Sequence, residues 1–244
     1  MLLLRHIPAL FLLLLTLACD KQPEADVVGP VPTPPPTGNP PPAGNALRYL
    51  ALGDSYTIGQ GVLVQDRFPV QTRRLLQGAG VNMQEPEIIA TTGWTTLRLQ
   101  EAIQTQSPSG PYDMVTLLIG VNDQYQRLSI DGYRTRFGQL LQEAIRLAGN
   151  RPKRVVVLSI PDYSVTPFAQ NMDRDRIRQE IDAFNLVNRE ISLARDVHYL
   201  DITPSTREAA TDPTLIASDG LHPSGREYAR WAARLLAIIK PEFP

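Results

Sequence analysis

Residues 48–56 read RYLALGDSY, in which an apolar run leads through Gly53 into the polar residues Asp54 and Ser55. A short apolar run bounded by a turn residue is typical of a buried strand. Similar runs rich in Val, Ile and Leu recur at 87–90, 114–119, 155–160 and 197–202. Because helical patterns lie between them, the sequence predicts a parallel sheet covered on both faces. The predicted fold class is α/β, a three-layer α/β/α sandwich with a mainly parallel central sheet.

Three segments have apolar residues at helical spacing. One predicted buried face consists of Tyr133, Phe137, Leu140, Leu141 and Ala144, and a second consists of Ile177, Ile181, Phe184 and Ile191. The last helix is predicted to follow Ser224, because Glu227 three residues later completes a capping-box pattern. Its buried face is predicted to contain Tyr228, Trp231, Leu235 and Ile238.

Polar residues and glycines follow the predicted strands. In an open parallel sheet, ligands bind outside the carboxyl ends of the strands. The segments predicted to lie there are Gly53-Asp54-Ser55-Tyr56, Thr92-Gly93-Trp94, Gly120-Val121-Asn122-Asp123 and, after a further loop, Asp219-Gly220-Leu221-His222. The sequence therefore predicts a functional site at this edge, with Ser, Gly, Asn, Asp and His contributed by four separate segments.

These residue types suit acyl transfer by an activated serine. A serine hydroxyl becomes an effective nucleophile when an adjacent imidazole takes its proton, and we expect Ser55 and His222 to form this pair. Asp219 lies three residues before His222, close enough for a turn to bring its carboxylate to the imidazole Nδ1. Asp201, at the end of a predicted strand, is the alternative carboxylate.

The tetrahedral intermediate of such a reaction requires hydrogen-bond donors for its oxyanion. The candidates are the backbone N–H groups of Ser55 and Gly93 and the side-chain amide of Asn122. Each has a structural alternative, since Ser55 can cap a helix, Gly93 can serve only a turn, and Asn122 can bond loop backbone.

Residues adjacent to these candidates are expected to line the substrate cleft, namely Trp94, Asp123 and Tyr125. Core packing is the alternative for the two aromatic residues. A structural role in ordering loop amides is the alternative for Asp123, and we expect that role for Asp54. The loops 162–173, which contains Tyr163 and Phe168, and 204–218 are predicted to wall the cleft. His198 is expected to pack or bond locally.

The four segments together resemble the conserved blocks of the GDSL/SGNH hydrolases, from about Leu47 to the C-terminus. The matching residues are Gly53-Asp54-Ser55, Gly93, Gly120-Val121-Asn122-Asp123 and Asp219-Gly220-Leu221-His222-Pro223. The resemblance implies a flavodoxin-like sheet and assigns Ser55 as nucleophile, Gly93 and Asn122 as oxyanion donors and His222 as base. No G-x-S-x-G surrounds Ser55, so the nucleophile elbow of the α/β-hydrolases is not expected.

Composition argues against several other classes of function. The net charge is −1 and charges of both signs are interspersed, so no basic surface for nucleic acid is indicated. Cys19 is the only cysteine, which rules out an intrachain disulfide, and only three histidines are present. Zinc sites usually take several His or Cys ligands, so we expect neither a metal nor a cofactor.

The N-terminal segment is typical of an exported protein. Residues 1–18 combine Arg5 with a short apolar run and are predicted to be a signal peptide. Residues 16–19 resemble a bacterial lipobox, which predicts lipidation of Cys19 and anchoring in the cell envelope on the periplasmic side of a membrane. Residues 19–46 are Pro-rich and predict an extended linker, followed by a hydrolase domain at 47–244.

The predicted function is therefore that of a serine esterase that forms an acyl-enzyme on Ser55. Small or short-acyl esters are the expected substrates, with acetylated sugars, lysophospholipids and simple esters left open. The alternatives are an acyltransferase that acts on cell-envelope glycans and a non-catalytic binding module tethered to the envelope.

Overall fold

The structure of the protein is a computed structural model, and it describes residues 46–243. The predicted signal peptide, the lipidation of Cys19 and the predicted linker up to residue 45 lie outside these residues and stay predictions. Within residues 46–243, none of the helices combines the length and the hydropathy needed to cross a membrane.

The centre of the fold is a five-stranded parallel sheet in the order β2-β1-β3-β4-β5, counted over residues 46–243. The strands are β1 (Tyr49–Gly53), β2 (Glu87–Ala90), β3 (Met114–Leu118), β4 (Val155–Leu158) and β5 (His198–Leu200). All residues of β1, β3 and β4 are buried, which explains their continuous apolar runs. The order reverses between β1 and β3, and this is where ligands bind in flavodoxin-like sheets.

Strands β4 and β5 end two residues earlier than the sequence predicts, because polar side chains replace strand pairing there. The Ile160 N–H donates to Asn185 Oδ1 at 2.7 Å, and the Ile160 carbonyl accepts from Asn185 Nδ2 at 3.0 Å. Beyond β5, the Ile202 N–H donates to the Ser159 hydroxyl at 2.8 Å. Apolar patterning does not report these side-chain bonds, so the predicted strands are too long.

Helices cover the sheet and complete the predicted three-layer fold. They are α1 (Ser55–Ile58), α2 (Phe68–Gly78), α3 (Thr96–Gln106), α4 (Val121–Tyr125), α5 (Ile130–Leu147), α6 (Arg174–Ala194), α7 (Thr203–Arg207) and α8 (Gly225–Ile239). Helix α2 packs against α8, whereas α5 packs against α3 and α6. The α/β fold class predicted from the sequence is confirmed.

Helix α8 begins as predicted, with the Ser224 hydroxyl accepting the Glu227 N–H at 3.4 Å. The Glu227 side chain does not complete the capping box. It is buried, and its Oε1 instead accepts hydrogen bonds from Ser205 at 2.6 Å and from Trp231 Nε1 at 2.7 Å. The buried faces also differ from the predicted ones at single positions. Ile239 is fully buried, whereas Ile238 and, in α6, Ile191 are only partly buried against the core.

Candidate active site

Ser55 is the first residue of α1 and directly follows β1, at the carboxyl edge of the sheet. The preceding turn is tight, since a Cβ on Gly53 would lie 2.1 Å from Thr57 Oγ1. Only glycine fits such a close approach. The side chain of Asp54 accepts the Tyr56 N–H at 3.0 Å, which is the ordering role expected of it, and it rather than Ser55 caps α1. This arrangement holds Ser55 against the end of β1.

The carboxyl group of Asp54 is wholly buried, and its Oδ2 atom has no hydrogen-bond partner among the described residues. Burial raises the pKa of Asp54 to about 8, against the lowering effect of the Tyr56 N–H, and the nearby charge of Asp123 adds to the increase. Asp54 is therefore mostly uncharged at neutral pH, and no negative charge adjoins Ser55 from this side chain.

The structure brings Ser55, His222 and Asp219 into one chain of hydrogen bonds. His222 Nε2 lies 2.9 Å from Ser55 Oγ, and His222 Nδ1 lies 2.7 Å from Asp219 Oδ2. Both Ser55 and His222 are nearly inaccessible to solvent. The Tyr56 ring packs beside the imidazole, with 5.0 Å between ring centres. In this geometry an imidazole can take the serine proton while a carboxylate orients it.

A turn orients Asp219. Its Oδ1 atom accepts the N–H groups of Leu221 and His222, each at 3.0 Å, which leaves Oδ2 for the imidazole. Burial acts to raise the pKa of Asp219, but these two N–H groups and the His222 side chain outweigh it and hold the pKa below its ordinary value. Asp201 is not placed at the imidazole, because its carboxylate accepts from the Ser159 hydroxyl and the Thr203 N–H.

Asn122 lines the same cleft as Ser55 and His222. Its Nδ2 atom donates one hydrogen bond to the Trp94 carbonyl at 3.0 Å. An amide nitrogen carries two hydrogens, so one remains for a substrate oxygen. Gly93 immediately precedes Trp94 and has a φ of +80°, which explains the need for glycine in this turn.

Of the three residues expected to line the cleft, Asp123 has a structural role, Tyr125 lines the cleft and Trp94 stays a prediction. Trp94 is partly buried against the hydrophobic core. Asp123 is wholly buried, and its carboxylate accepts the Thr96 N–H at 2.8 Å, the Thr96 hydroxyl at 2.6 Å and Arg136 Nη2 at 3.3 Å. The first turn of α4 points Asp123 into the fold. Asp123 therefore orders neighbouring backbone, which was the alternative role considered for it, and does not line the cleft. Tyr125 does line the cleft and is 50 % exposed.

The rest of the cleft wall is apolar. The cleft itself has a volume of about 110 Å³. Tyr163 and Phe168 line it, from one of the two loops expected to wall the cleft. The other loop, 204–218, lines the neighbouring pocket, which shares Tyr163, Leu221 and His222 with this cleft. Tyr56, Val121 and Leu221 were not predicted, although each directly neighbours a predicted site residue in the sequence. His198 is distant from this chemistry and pairs with Glu242 at 3.0 Å.

Among residues 46–243, no group of three or more His, Cys, Asp or Glu side chains is arranged to hold a metal ion. The polar groups that converge on the cleft are the Ser55 hydroxyl, the His222 imidazole and the Asn122 amide. This set can supply a nucleophile, a base and an oxyanion donor.

Comparison with known families identifies the class of protein. The sequence profile of the GDSL-like lipase/acylhydrolase family matches residues 51–230, which is well over half of the chain. The chain belongs to this family. It is therefore a serine hydrolase that acts on esters, and the matched range contains Ser55, Gly93, Asn122, Asp219 and His222. No curated protein sequence matches the chain at a significant level.

Solved structures share the fold of this GDSL-like acylhydrolase. A lipase from a goat rumen metagenome is 19 % identical, with a TM-score of 0.62 over 79 % of this chain and 97 % of that one. A lipase/acylhydrolase from Enterococcus faecalis is 21 % identical, with a TM-score of 0.58 over 80 % and 97 %. An acetylxylan esterase from Geobacillus stearothermophilus is 20 % identical, with a TM-score of 0.58 over 80 % and 95 %. At these identities the likeness shows the fold.

Proposed function

We propose that the protein is a serine esterase that hydrolyses small or short-acyl esters through an acyl-enzyme on Ser55. The observation that carries the proposal is the hydrogen-bonded series Ser55–His222–Asp219, with distances of 2.9 and 2.7 Å. A cleft of about 110 Å³ at the serine supports a small substrate group. It is well below the 300–1,000 Å³ typical of sites for drug-sized ligands.

In the proposed acylation step, His222 Nε2 takes the proton of the Ser55 hydroxyl as Oγ attacks the ester carbonyl carbon. The carbonyl oxygen becomes an oxyanion, which accepts hydrogen bonds from the free Asn122 amide hydrogen and from the Ser55 and Gly93 N–H groups. When the tetrahedral intermediate collapses, the bond to the alcohol oxygen breaks and His222 returns the proton to that oxygen. The acyl group remains on Ser55.

Deacylation repeats these steps with water. His222 takes a proton from a water molecule whose oxygen attacks the acyl carbon, and it then returns the proton to Ser55 Oγ as the acid leaves. Asp219 keeps its negative charge throughout and stabilises the imidazolium that forms twice in each cycle. Its lowered pKa supports this role, because the carboxylate is ionised at neutral pH.

The test compares the wild type with Ser55→Ala on p-nitrophenyl esters from acetate to palmitate. We expect the variant to lose activity by roughly 10⁴–10⁶-fold in kcat, as when a serine nucleophile is removed. A fluorophosphonate probe measures the reactivity of Ser55 independently. Labelling of Ser55 without hydrolysis would favour acyl transfer to an envelope glycan, whereas a folded protein that neither labels nor hydrolyses would reduce the site to a binding cleft.

We also propose that the chain is exported and anchored by lipid on Cys19, a proposal supported by residues 1–19 of the sequence alone. The test expresses the full chain in a bacterium supplied with labelled palmitate. The wild type is expected to carry the label and to sediment with membranes, whereas Cys19→Ser is expected to lose both properties. An unlabelled wild-type protein would remove the anchor from the proposal.

A further inference from the structure

We propose that the aromatic rings of Tyr125, Tyr163 and Phe168 form the subsite for the acyl group of the substrate, and that this group is uncharged and short. The inference rests on the proposed esterase function, since the acyl group is the part of the substrate that remains on Ser55. It goes further by naming the side chains that select the acyl group.

The three rings form one wall of the cleft. The centre of the Tyr125 ring lies 6.0 Å from that of Phe168 and 6.2 Å from that of Tyr163, and Tyr163 and Phe168 are also 6.2 Å apart. The rings meet edge-on or tilted, which is a favourable arrangement for aromatic pairs. Each of the three side chains lines the cleft that contains Ser55 and His222.

The base of this wall is held in place. Tyr163 is 4 % exposed, and its hydroxyl donates to Gln124 Oε1 at 2.9 Å, while Gln124 Nε2 donates to Glu180 at 2.7 Å. Tyr125 and Phe168 lie in front of it and are 50 % and 40 % exposed. Two adjacent half-exposed aromatic rings at a reactive serine provide apolar surface that a substrate can cover.

The chemistry of the wall favours the acyl group over the alcohol. Val121 and Leu221 complete an apolar surface around the rings, and this surface suits an alkyl chain, which needs no hydrogen bonds. The alcohol departs after acylation, whereas the acyl group must stay ordered until water attacks. Binding energy at this wall therefore acts during both chemical steps only when the acyl group occupies it.

Size and charge set the limits of the subsite. The cleft has a volume of about 110 Å³, below the 300–1,000 Å³ typical of sites for drug-sized ligands, so a short acyl group fits it better than a long one. Among residues 46–243, the side chains that line the cleft at Ser55 include no lysine, arginine, aspartate or glutamate. An acyl group that carries a carboxylate would therefore lose water there without gaining a counterion.

The first experiment varies the acyl group at constant alcohol. We would measure kcat/KM for p-nitrophenyl acetate, butyrate, octanoate and laurate with the wild type, Tyr125→Ala and Phe168→Ala. The wild type is expected to prefer acetate or butyrate. Each variant is expected to raise the octanoate-to-butyrate ratio at least about tenfold, since a single methylene in an apolar pocket changes specificity by about 10–200-fold. Leu186→Ala, a half-exposed leucine on α6, serves as the matched control with an unchanged ratio.

The second experiment tests charge and separates acyl from alcohol. The mono-p-nitrophenyl ester of succinate has nearly the length of the butyrate ester but carries a carboxylate, and we expect its kcat/KM to be lower by about 100-fold or more. Acetate esters of methanol, phenol and glucose vary only the alcohol, and their ranking is expected to be the same in both variants and the wild type.

Three outcomes would contradict the proposal that these rings bind the acyl group. They are acyl-length ratios that stay at the wild-type value in both variants, equal rates for the succinate and butyrate esters, and a change only in the ranking of the alcohols. All three presuppose hydrolysis that depends on Ser55. Absence of such hydrolysis with every ester would instead overturn the proposed function, so the two failures are distinguishable.

Discussion

Asp123 binds Thr96 through both of its carboxylate oxygens, with Oδ2 accepting the Thr96 N–H at 2.8 Å and Oδ1 accepting the Thr96 hydroxyl at 2.6 Å. Thr96 begins α3, three residues after Gly93, and Asp123 directly follows Asn122 in α4. This contact therefore joins the two segments that carry the proposed oxyanion donors. The Asn122 amide adds a second link through the Trp94 carbonyl.

We predict that Asp123→Asn lowers both stability and activity. The amide removes a buried charge that Arg136 partly neutralises and leaves a Thr96 donor unsatisfied. A loss of about 2–4 kcal/mol in the free energy of unfolding is expected from such a change. Urea denaturation measures it. Glu85→Gln, the same change at an exposed carboxylate, is the control, and equal small effects in the two variants would show that the Asp123 contact contributes little.

Asn122→Ala is predicted to lower kcat by about 10²–10³, the usual cost of removing one oxyanion donor. The KM is expected to change much less, because this bond strengthens as the oxyanion forms. Steady-state kinetics on p-nitrophenyl acetate provide the measurement, and Asn171→Ala, at an exposed asparagine outside the cleft lining, is the control. A near-normal kcat would remove Asn122 from the oxyanion hole.

Asp219→Asn is predicted to lower kcat by roughly 10³–10⁴, because its amide group would present an N–H to His222 Nδ1 where a carboxylate now accepts. The pKa of Asp219 is lower in the folded protein than in the unfolded chain. Its contribution to the free energy of unfolding is therefore complete above the unfolded pKa, and it is lost as the pH falls through the folded pKa. The stability difference between wild type and variant is therefore expected to shrink in acid. A difference that is constant from neutral pH to below about 4 would contradict this assignment.

Asp54→Asn is predicted to flatten the dependence of stability on pH. The pKa of Asp54 in the folded protein is raised to about 8. The contribution of this group to the free energy of unfolding is therefore complete below its unfolded pKa, and it is lost as the pH rises towards 8. The loss approaches about 1.4 kcal/mol per pH unit within that window. Urea denaturation at pH 5, 6, 7 and 8 compares the two slopes. Parallel curves for wild type and variant would show that Asp54 titrates normally.

Much of the site is encoded in short motifs. The positions of Ser55, Asn122 and His222 after predicted strands and a loop were sufficient to expect them at one edge of the sheet, because parallel strands all end there. Asp219 was the preferred carboxylate because three residues suffice for a turn. The choice between Asp219 and Asp201 nevertheless depended on contacts, and the structure places only Asp219 at the imidazole.

Predictions made from adjacency alone were less successful. Trp94 and Asp123 neighbour proposed oxyanion donors in the sequence, yet Asp123 is wholly buried and bonded to Thr96, and Trp94 packs partly against the core. In a helix or turn, successive side chains point in different directions, so a neighbour in sequence need not be a neighbour in space. Conversely, Leu221 was not predicted to line the cleft but does so, and the loop 204–218 lines the neighbouring pocket beside His222.

The sequence by itself determined the α/β class, the five strands and the Ser, Asn, Asp and His that form the candidate site. These features depend on local apolar patterning and on the order of motifs along the chain. Only the tertiary structure decided that Asp123 is bonded to Thr96, that Ile160 pairs with Asn185 and that Phe168 meets Tyr125. Each of these contacts joins segments that are distant in the sequence, and their partners follow from packing and side-chain direction, which local patterns do not report.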